Sequence, residues 1–292
     1  MSAACFPLEA AQRIVRGALE EDLGLEGDIT TLGAFPGGAI LTARIVFREP
    51  AVVAGLPLAG VVVTEMTRRS GHRAEASPGV TDGDAVETGA IVATLTGDAR
   101  NVLAGERVML NLIGRLSGIA TMTRAATDEI SGFQCSVADT RKTTPGLRPL
   151  EKYAVAVGGG ENHRATLDAQ VLVKDNHKEL AGGLAPAVDA IVAAGHRAEE
   201  IEVEIETLDE LDVALDRGCG WVLLDNMPLA RVIEAVRRCR GRTRVEVSGG
   251  ITPGELRPYA EAGVQRISMG CLTHGARSVD VSLEIVPSSG GH

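Results

Sequence analysis

Six short runs of alternating or wholly apolar residues recur in the second half of the chain: CSVAD around Val137, QVLVKD around Val171, IEVEIE from Ile201, WVLLD from Trp221, RVEVSGG around Val245 and RISMG around Ile267. Each has the length and β-branched content of a strand bounded by turn residues. Ahead of each of the last four stands a glycine, at Gly195, Gly218, Gly241 and Gly263. The spacing of roughly twenty-three residues suits one helix closed by glycine and one strand. Thr207 with Glu210 and Thr252 with Glu255 read as capping boxes, and Pro253 occupies a first helical position, so helices are expected to start at both places. Strand and helix therefore alternate, which predicts a parallel sheet covered by helices, either closed into a barrel or open and doubly wound. No G-x-G-x-x-G follows an early strand, and the barrel is the favoured reading.

The first half has another rhythm. Leu8 to Leu23 is amphipathic at helical spacing, and the short alternating runs ILTARIVF and AIVATLTG are broken by turn signals at Pro50, Pro78-Gly79 and Asp82-Gly83. This predicts a small mixed α/β domain. A long helical segment follows, with Val108, Leu112, Ile113 and Leu116 on its apolar face and Arg107, Asn111 and Arg115 on a second stripe at i, i+4, i+8. Such a polar stripe is ordinarily a solvated face.

Composition narrows the function. Acidic residues outnumber basic ones by 39 to 29, and no Lys/Arg-rich tract is present, so the electrostatic footprint of a nucleic-acid binder is missing. The five cysteines are widely spread with no C-x-x-C pair, which argues against a disulfide framework or structural zinc and for a reducing compartment. The first dozen residues lack a basic region followed by an apolar run, and no segment has the length of a bilayer span, so the expectation is a cytoplasmic protein without a membrane partner. Aromatic residues are only 2%, which leaves small aliphatic side chains to fill the core, as in many parallel β/α structures.

In parallel barrels the chemistry lies at the carboxyl ends of the strands. Here those ends carry Asp139-Thr140-Arg141-Lys142, Lys174-Asp175-Asn176-His177, Glu202 and Glu204, Asp225-Asn226, Ser248-Gly249-Gly250, and Ser268 with Gly270. Alternation within IEVEIE puts Glu202, Glu204 and Glu206 on one face, expected to be the barrel interior, where unpaired carboxylates would be costly. Arg141, Lys142, Arg148, His163, Arg164 and Lys174 cluster in one stretch of an otherwise acidic chain, so an anion should bind there. The plainer alternative is that these cations pair with the glutamates as scaffolding. Lys174 alone is also suited to a Schiff base if desolvated. Glycine-bearing strand ends late in a barrel are a usual phosphate site, although either is also an ordinary tight turn.

As a set, EDLGLEGDITT, GDARNVLAGERVMLNLIGRLSGIATMTR, DTRKTTPGLRPLEKYAVAVGGGENHR, VLVKDNH, EVEIETLDEL, LLDNM, EVSGGIT and SMGCLTHGARSVDVSLEI resemble the quinolinate phosphoribosyltransferases, nearly end to end. The resemblance implies an incomplete parallel α/β barrel at 117–278 with a smaller N-terminal α/β sandwich domain at 1–116, onto which the tail 279–292 packs back. It implies transfer of phosphoribosyl from phosphoribosyl pyrophosphate to quinolinate with decarboxylation, giving nicotinate mononucleotide, pyrophosphate and CO2. Magnesium is the implied cofactor, with no organic one. The implied assembly is a homodimer with shared active sites, or a higher oligomer built from it.

By motif position, Thr140, Arg141, Lys142, His163, Arg164 and Lys174 would line the pocket for the quinolinate carboxylates and nearby phosphates, with Arg107 entering from the other subunit. Glu204 and Asp225 would face the ribose and its magnesium, as direct or indirect ligands. Ser248, Gly249, Gly250, Ser268 and Gly270 would hold the 5′-phosphate, with His274 nearby. Lys142, Lys174, Glu204 and Asp225 are the implied catalytic groups. The chain departs from the family pattern after His163-Arg164, where Thr166 and Ala169 stand in place of glycine and aspartate and Asp168 brings a carboxylate one place early. Lys178 replaces an apolar residue. Two alternatives remain open: the molybdenum-transport-associated relatives that share DTRKT, and a non-catalytic barrel binding an anionic metabolite.

Overall fold

A computed structural model describes residues 5–36 and 38–287. In chain order its elements are α1 (Leu8–Leu23), α2 (Ile29–Ala34), β1 (Ile40–Phe47), β2 (Ala51–Val52), α3 (Pro57–Ser70), β3 (Ala74–Pro78), β4 (Ala85–Val86), β5 (Ile91–Asp98) and α4 (Ala99–Glu129). There follow β6 (Ser136–Ala138), α5 (Arg148–Val157), β7 (Val171–Val173), α6 (Asp175–Ala181), α7 (Leu184–Ala193), β8 (Ile201–Ile205) and α8 (Leu208–Asp216). The last are β9 (Trp221–Asp225), α9 (Leu229–Cys239), β10 (Arg244–Ser248), α10 (Arg257–Glu261), β11 (Arg266–Ser268), α11 (Cys271–His274) and β12 (Val281–Ile285).

Two compact units divide the chain. One comprises Met1–Arg124, Thr144–Gly159 and Gly275–His292, the other Ala125–Thr143 and Gly160–His274. The first is built on an antiparallel sheet ordered β12-β1-β5-β3, with α3 against β3 and α1 against α3. Its core is apolar, around Leu19, Ile45, Phe47, Leu58, Leu95 and Met109, all fully buried. β12 comes from the far end of the sequence and pairs along β1 from Ala43↔Ile285 to Phe47↔Val281. Within this unit Arg115 of the polar stripe meets buried Glu151 at 2.9 Å, whereas Asn111 and Arg107 are exposed.

In the second unit the six expected strands are β6 to β11, all parallel, in the order β6-β11-β10-β9-β8-β7. No pairing joins β6 to β7 among the described residues, so the barrel is incomplete; instead Glu161 bridges to Ala138 along the free side of β6. The four glycines that precede the later strands all have positive φ, between 72° and 103°, the backbone that lets each helix stop and turn into its strand.

One expected helix start differs. Glu255 does bind the Thr252 backbone N–H and hydroxyl, at 3.0 and 2.7 Å, but as a turn. The helix begins later, at Arg257 with Pro258 in its first turn. The reason is Glu129, whose carboxylate accepts the backbone N–H groups of Gly254, Leu256 and Arg257, supplying from elsewhere the cap that a local side chain would have given. The Thr207 start stands: Thr207 Oγ1 accepts the Glu210 N–H at 3.2 Å. None of the described helices is long and apolar enough to cross a membrane.

Candidate active site at the strand ends of the barrel

Period-two alternation decides what each barrel strand sends inward. β8 is buried throughout, with Ile201, Val203 and Ile205 on the helix side and Glu202 and Glu204 inside. Glu206, expected on the same face, lies beyond the last residue of the strand and is exposed. β10 repeats the pattern through Glu246 and Ser248, β9 through Leu223 and Asp225, and β7 through Leu172, with Lys174 just past its end.

Above these residues opens a cavity of about 680 Å³, within the usual range for a small-molecule site. Of the residues expected at the site, Thr140, Arg141, Lys142, His163, Arg164 and Lys174 line it. So do Glu204, Asp225, the Ser248-Gly249-Gly250 turn, Ser268, Gly270 and His274. Arg107 is the exception; it stands exposed on α4 in the first unit, within 4.0 Å of Glu106.

The cations are crowded. Arg164 has its pKa lowered by burial and then by the charge of Arg141, a repulsion that an anion between them would relieve. Its Nη1 donates to the Gln170 carbonyl at 2.9 Å, fixing the plane of the guanidinium. Lys174 Nζ lies 3.3 Å from Glu204 Oε2. Burial pushes the Glu204 carboxyl up, Lys174 opposes this, and Asp225 and Asp175 add to it. Asp225 is held by both oxygens, Oδ1 accepting from Ser248 Oγ at 2.7 Å and Oδ2 from Asn226 Nδ2 at 2.6 Å.

Close approach demands one glycine and leaves little room for a side chain at a second. A Cβ on Gly249, whose φ is +105°, would sit 2.3 Å from Asn226 Oδ1, and one on Gly270 would press on Lys142 Cδ at 3.0 Å and His274 Nε2 at 3.2 Å. Bare backbone faces the cavity at both turns. Ser268 lines the cavity but its hydroxyl is already engaged, donating to Glu246 Oε1 at 2.5 Å.

Glu246 and Gln170 carry no expectation from the sequence, and Asn226 is expected at a strand end without a role. Glu246 was legible, because the alternation that turns Ser248 inward turns Glu246 inward too. Asn226 adopts φ 52°, a left-handed conformation that asparagine tolerates and that aims its amide at Asp225. Gln170 carried no sequence signal.

At the floor of the cavity, which His163 and Glu246 help to line, Glu202 and Glu246 are wholly buried, and His163 Nε2 lies 3.2 Å from Glu202 Oε2 and 3.7 Å from Glu246 Oε1. Their donor atoms lie within 4.8 Å of one another, close enough for a metal. The hydrogen bonding opposes that use. His163 Nδ1 accepts the Arg164 N–H at 2.8 Å, so the neutral ring carries its proton on Nε2, the atom a metal would need bare. Glu246 is also paired with Arg266 at 2.9 Å, and Arg266 and Arg244 stack on Trp221 at 3.9 and 4.3 Å from its centroid. Desolvation, then the neighbouring Glu202, pushes Glu246 up to about 8; desolvation likewise raises Glu202.

A barrel with opposed cations and carboxylates around an open cavity at its strand ends is that of an α/β-barrel enzyme handling anionic small molecules. The family models for the N-terminal and C-terminal domains of quinolinate phosphoribosyl transferase match residues 28–117 and 119–284, and the chain belongs to that family. It is 41% identical over 282 residues to a nicotinate-nucleotide pyrophosphorylase [carboxylating] of Mycobacterium leprae, covering 95% of this chain and 98% of that one. It is 34% identical over 297 residues to a quinolinate phosphoribosyltransferase [decarboxylating] of Nicotiana tabacum, covering 96% and 83%. The fold superposes on the nicotinate-nucleotide pyrophosphorylase of Francisella tularensis with a TM-score of 0.89 at 34% identity, over 98% and 99% of the two chains.

Proposed function

We propose that the chain transfers phosphoribosyl from phosphoribosyl pyrophosphate to quinolinate with loss of CO2, in the synthesis of pyridine nucleotides. The observation that carries the reading is the mixed charge of the cavity: Arg141, Lys142, Arg164 and Lys174 line it together with Glu204, Asp225 and two glycine turns. Binding an anion alone calls for no carboxylates, which disfavours a purely binding barrel.

In this reading the cationic wall holds the two carboxylates of quinolinate, and its ring nitrogen attacks the anomeric carbon of the ribose. The C–O bond to pyrophosphate breaks and its electron pair leaves with the pyrophosphate. Glu204 and Asp225 stabilise the positive charge that builds on the ribose. Lys142 and Lys174 neutralise the departing anion. The carboxylate beside the quaternised nitrogen is then lost as CO2, its bonding pair remaining on the ring carbon, which takes a proton from solvent.

Two carboxylates, with substrate phosphates, suit a hard divalent cation. Glu204 and Asp225 would hold a magnesium ion, directly or through water, which would supply further neutralisation of the pyrophosphate. The pyridinium serves as its own electron sink, so the reaction calls for no organic cofactor.

The assembly proposed is a homodimer in which Arg107 serves the neighbouring subunit's site. After subunit exchange between Arg107→Ala and Lys174→Ala dimers, roughly a quarter of the sites should carry neither defect and regain activity. Confirmed exchange without recovery excludes that role. The overall reading is tested by quinolinate-dependent release of pyrophosphate and CO2 from phosphoribosyl pyrophosphate by the purified protein. Absence of both, or activity with a different pyridine carboxylate, would overturn it.

A further inference from the structure

Lys178 is a charged residue only 8% exposed, and burying an ammonium is tolerated only when it is fully partnered. Its Nζ lies 2.9 Å from Asp175 Oδ1 and 2.9 Å from Glu210 Oε1. Asp175 is the first residue of α6, next to Lys174, and Glu210 lies in the first turn of α8, just past the strand that carries Glu204. The other Glu210 oxygen accepts the Glu206 N–H at 2.8 Å, pinning the chain where it leaves β8. On the α6 side, His177 Nδ1 accepts the Lys174 N–H at 2.9 Å.

We propose that Lys178 is a positioning residue for the reaction: behind the cavity wall it ties together the two strand-to-helix turns that present Lys174 and Glu204. It also occupies Asp175. That carboxylate lies close enough to Glu204 for the two charges to act on one another. Without Lys178 it would have no fixed counter-charge and would compete with Glu204 for the adjoining Lys174. The device is electrostatic and geometric at once, since one ammonium sets the spacing of the turns and keeps the cavity's own ion pair intact.

The inference rests on Lys174 contacting phosphoribosyl pyrophosphate, and a double-mutant cycle separates the two claims. Lys178→Met keeps the length of the side chain and removes its charge. It should weaken phosphoribosyl pyrophosphate binding, measured by calorimetry, about tenfold, with Lys178→Arg recovering most of the loss. Added to Lys174→Ala, the same substitution should cost clearly less than the tenfold seen alone, because one of the two groups it positions, and the ion pair it protects, is gone. A Lys178→Met effect of equal size in both backgrounds, or a lowered unfolding temperature with unchanged binding, overturns the bracket alone. Unchanged binding in Lys174→Ala itself overturns the pocket reading and the bracket with it.

Discussion

The barrel interior carries charge at two heights, supplied by the same strands through the same alternation, and the two layers differ in how that charge is balanced. In the lower layer Glu202, Glu246, His163 and Arg266 answer one another, with Gln170 Nε2 donating to Glu202 Oε2 at 2.9 Å and Ser268 to Glu246. Glu202 Oε1 alone is buried there without a hydrogen-bond partner. In the upper layer Arg141 bears on Arg164 and the charge of Asp225 raises the Glu204 carboxyl, around an open cavity. A charged barrel strand is therefore not by itself a sign of function. The sign is charge whose balance awaits another molecule.

The sharpest way to break this contrast is to unbalance the lower layer. Arg266→Met leaves Glu246 buried beside Glu202 without its guanidinium, and removing one partner of a buried pair should destabilise the fold by about 3 kcal/mol. A proton taken up by the pair can substitute for the lost cation at low pH, so urea unfolding should show a larger loss at about pH 8 than at about pH 5. An equal loss at both would mean that the lower layer is not held by charge compensation.

Arg164→Lys does the converse, keeping the charge of the upper layer and removing its shape. One guanidinium nitrogen is engaged by the Gln170 carbonyl while the group as a whole lines the cavity. An ammonium cannot reproduce that fork, and kcat/KM should fall about 100-fold, or about 2.7 kcal/mol. Stability should change little. Near-normal quinolinate KM and kcat would remove Arg164 from the anion site.

How much of each layer was legible follows from the same alternation. The six strands, the glycines that end the intervening helices, and nearly all of the expected cavity residues were readable because period-two spacing and the strand-end rule apply within a single βα unit. Glu246 obeyed that rule but was overlooked beside the more conspicuous glycine turn. Glu129 as the cap of α10, Gln170 as the anchor of both Arg164 and Glu202, and Arg266 stacked on Trp221 are contacts made by the closed barrel. Their partners are far apart in sequence or carry no local pattern. Glu206 was misplaced because alternation was extended one step past the end of the strand.

A third test titrates the lower layer. Glu246 binds its proton more tightly folded than unfolded, since its carboxyl is raised to about 8. Between the ordinary carboxylate range and about pH 8, unfolding therefore releases a proton. The contribution is fully present below the unfolded value and is lost as pH rises through about 8, with a slope of at most about 1.4 kcal/mol per pH unit per proton. Glu246→Gln should flatten that slope in urea unfolding. On the acid side the sign reverses. Glu49 and Asp98, lowered to about 2 by hydrogen bonds from Arg277 and Arg100, contribute stability that is lost as pH falls through about 2. A slope unchanged by Glu246→Gln would place the retained proton elsewhere.

The smallest effect is expected where the chain departs from its family, next to Arg164. Asp168 is exposed, and its carboxyl is lowered chiefly by a hydrogen bond from the Thr166 side chain. The Arg164 guanidinium donates to the Gln170 carbonyl, a backbone atom that a change of side chain leaves in place. A one-residue displacement on a regular strand would send the carboxylate to the opposite face, but residues 165–170 form a bend ahead of β7, where backbone adjustment absorbs the shift. Exchanging the two residues, Asp168→Ala with Ala169→Asp, should therefore leave kcat/KM within about tenfold, less than about 1.4 kcal/mol of transition-state stabilisation. A larger loss would mean that the loop carboxylate reaches the upper layer during turnover, making it a member of that charge balance rather than a solvent-exposed neighbour.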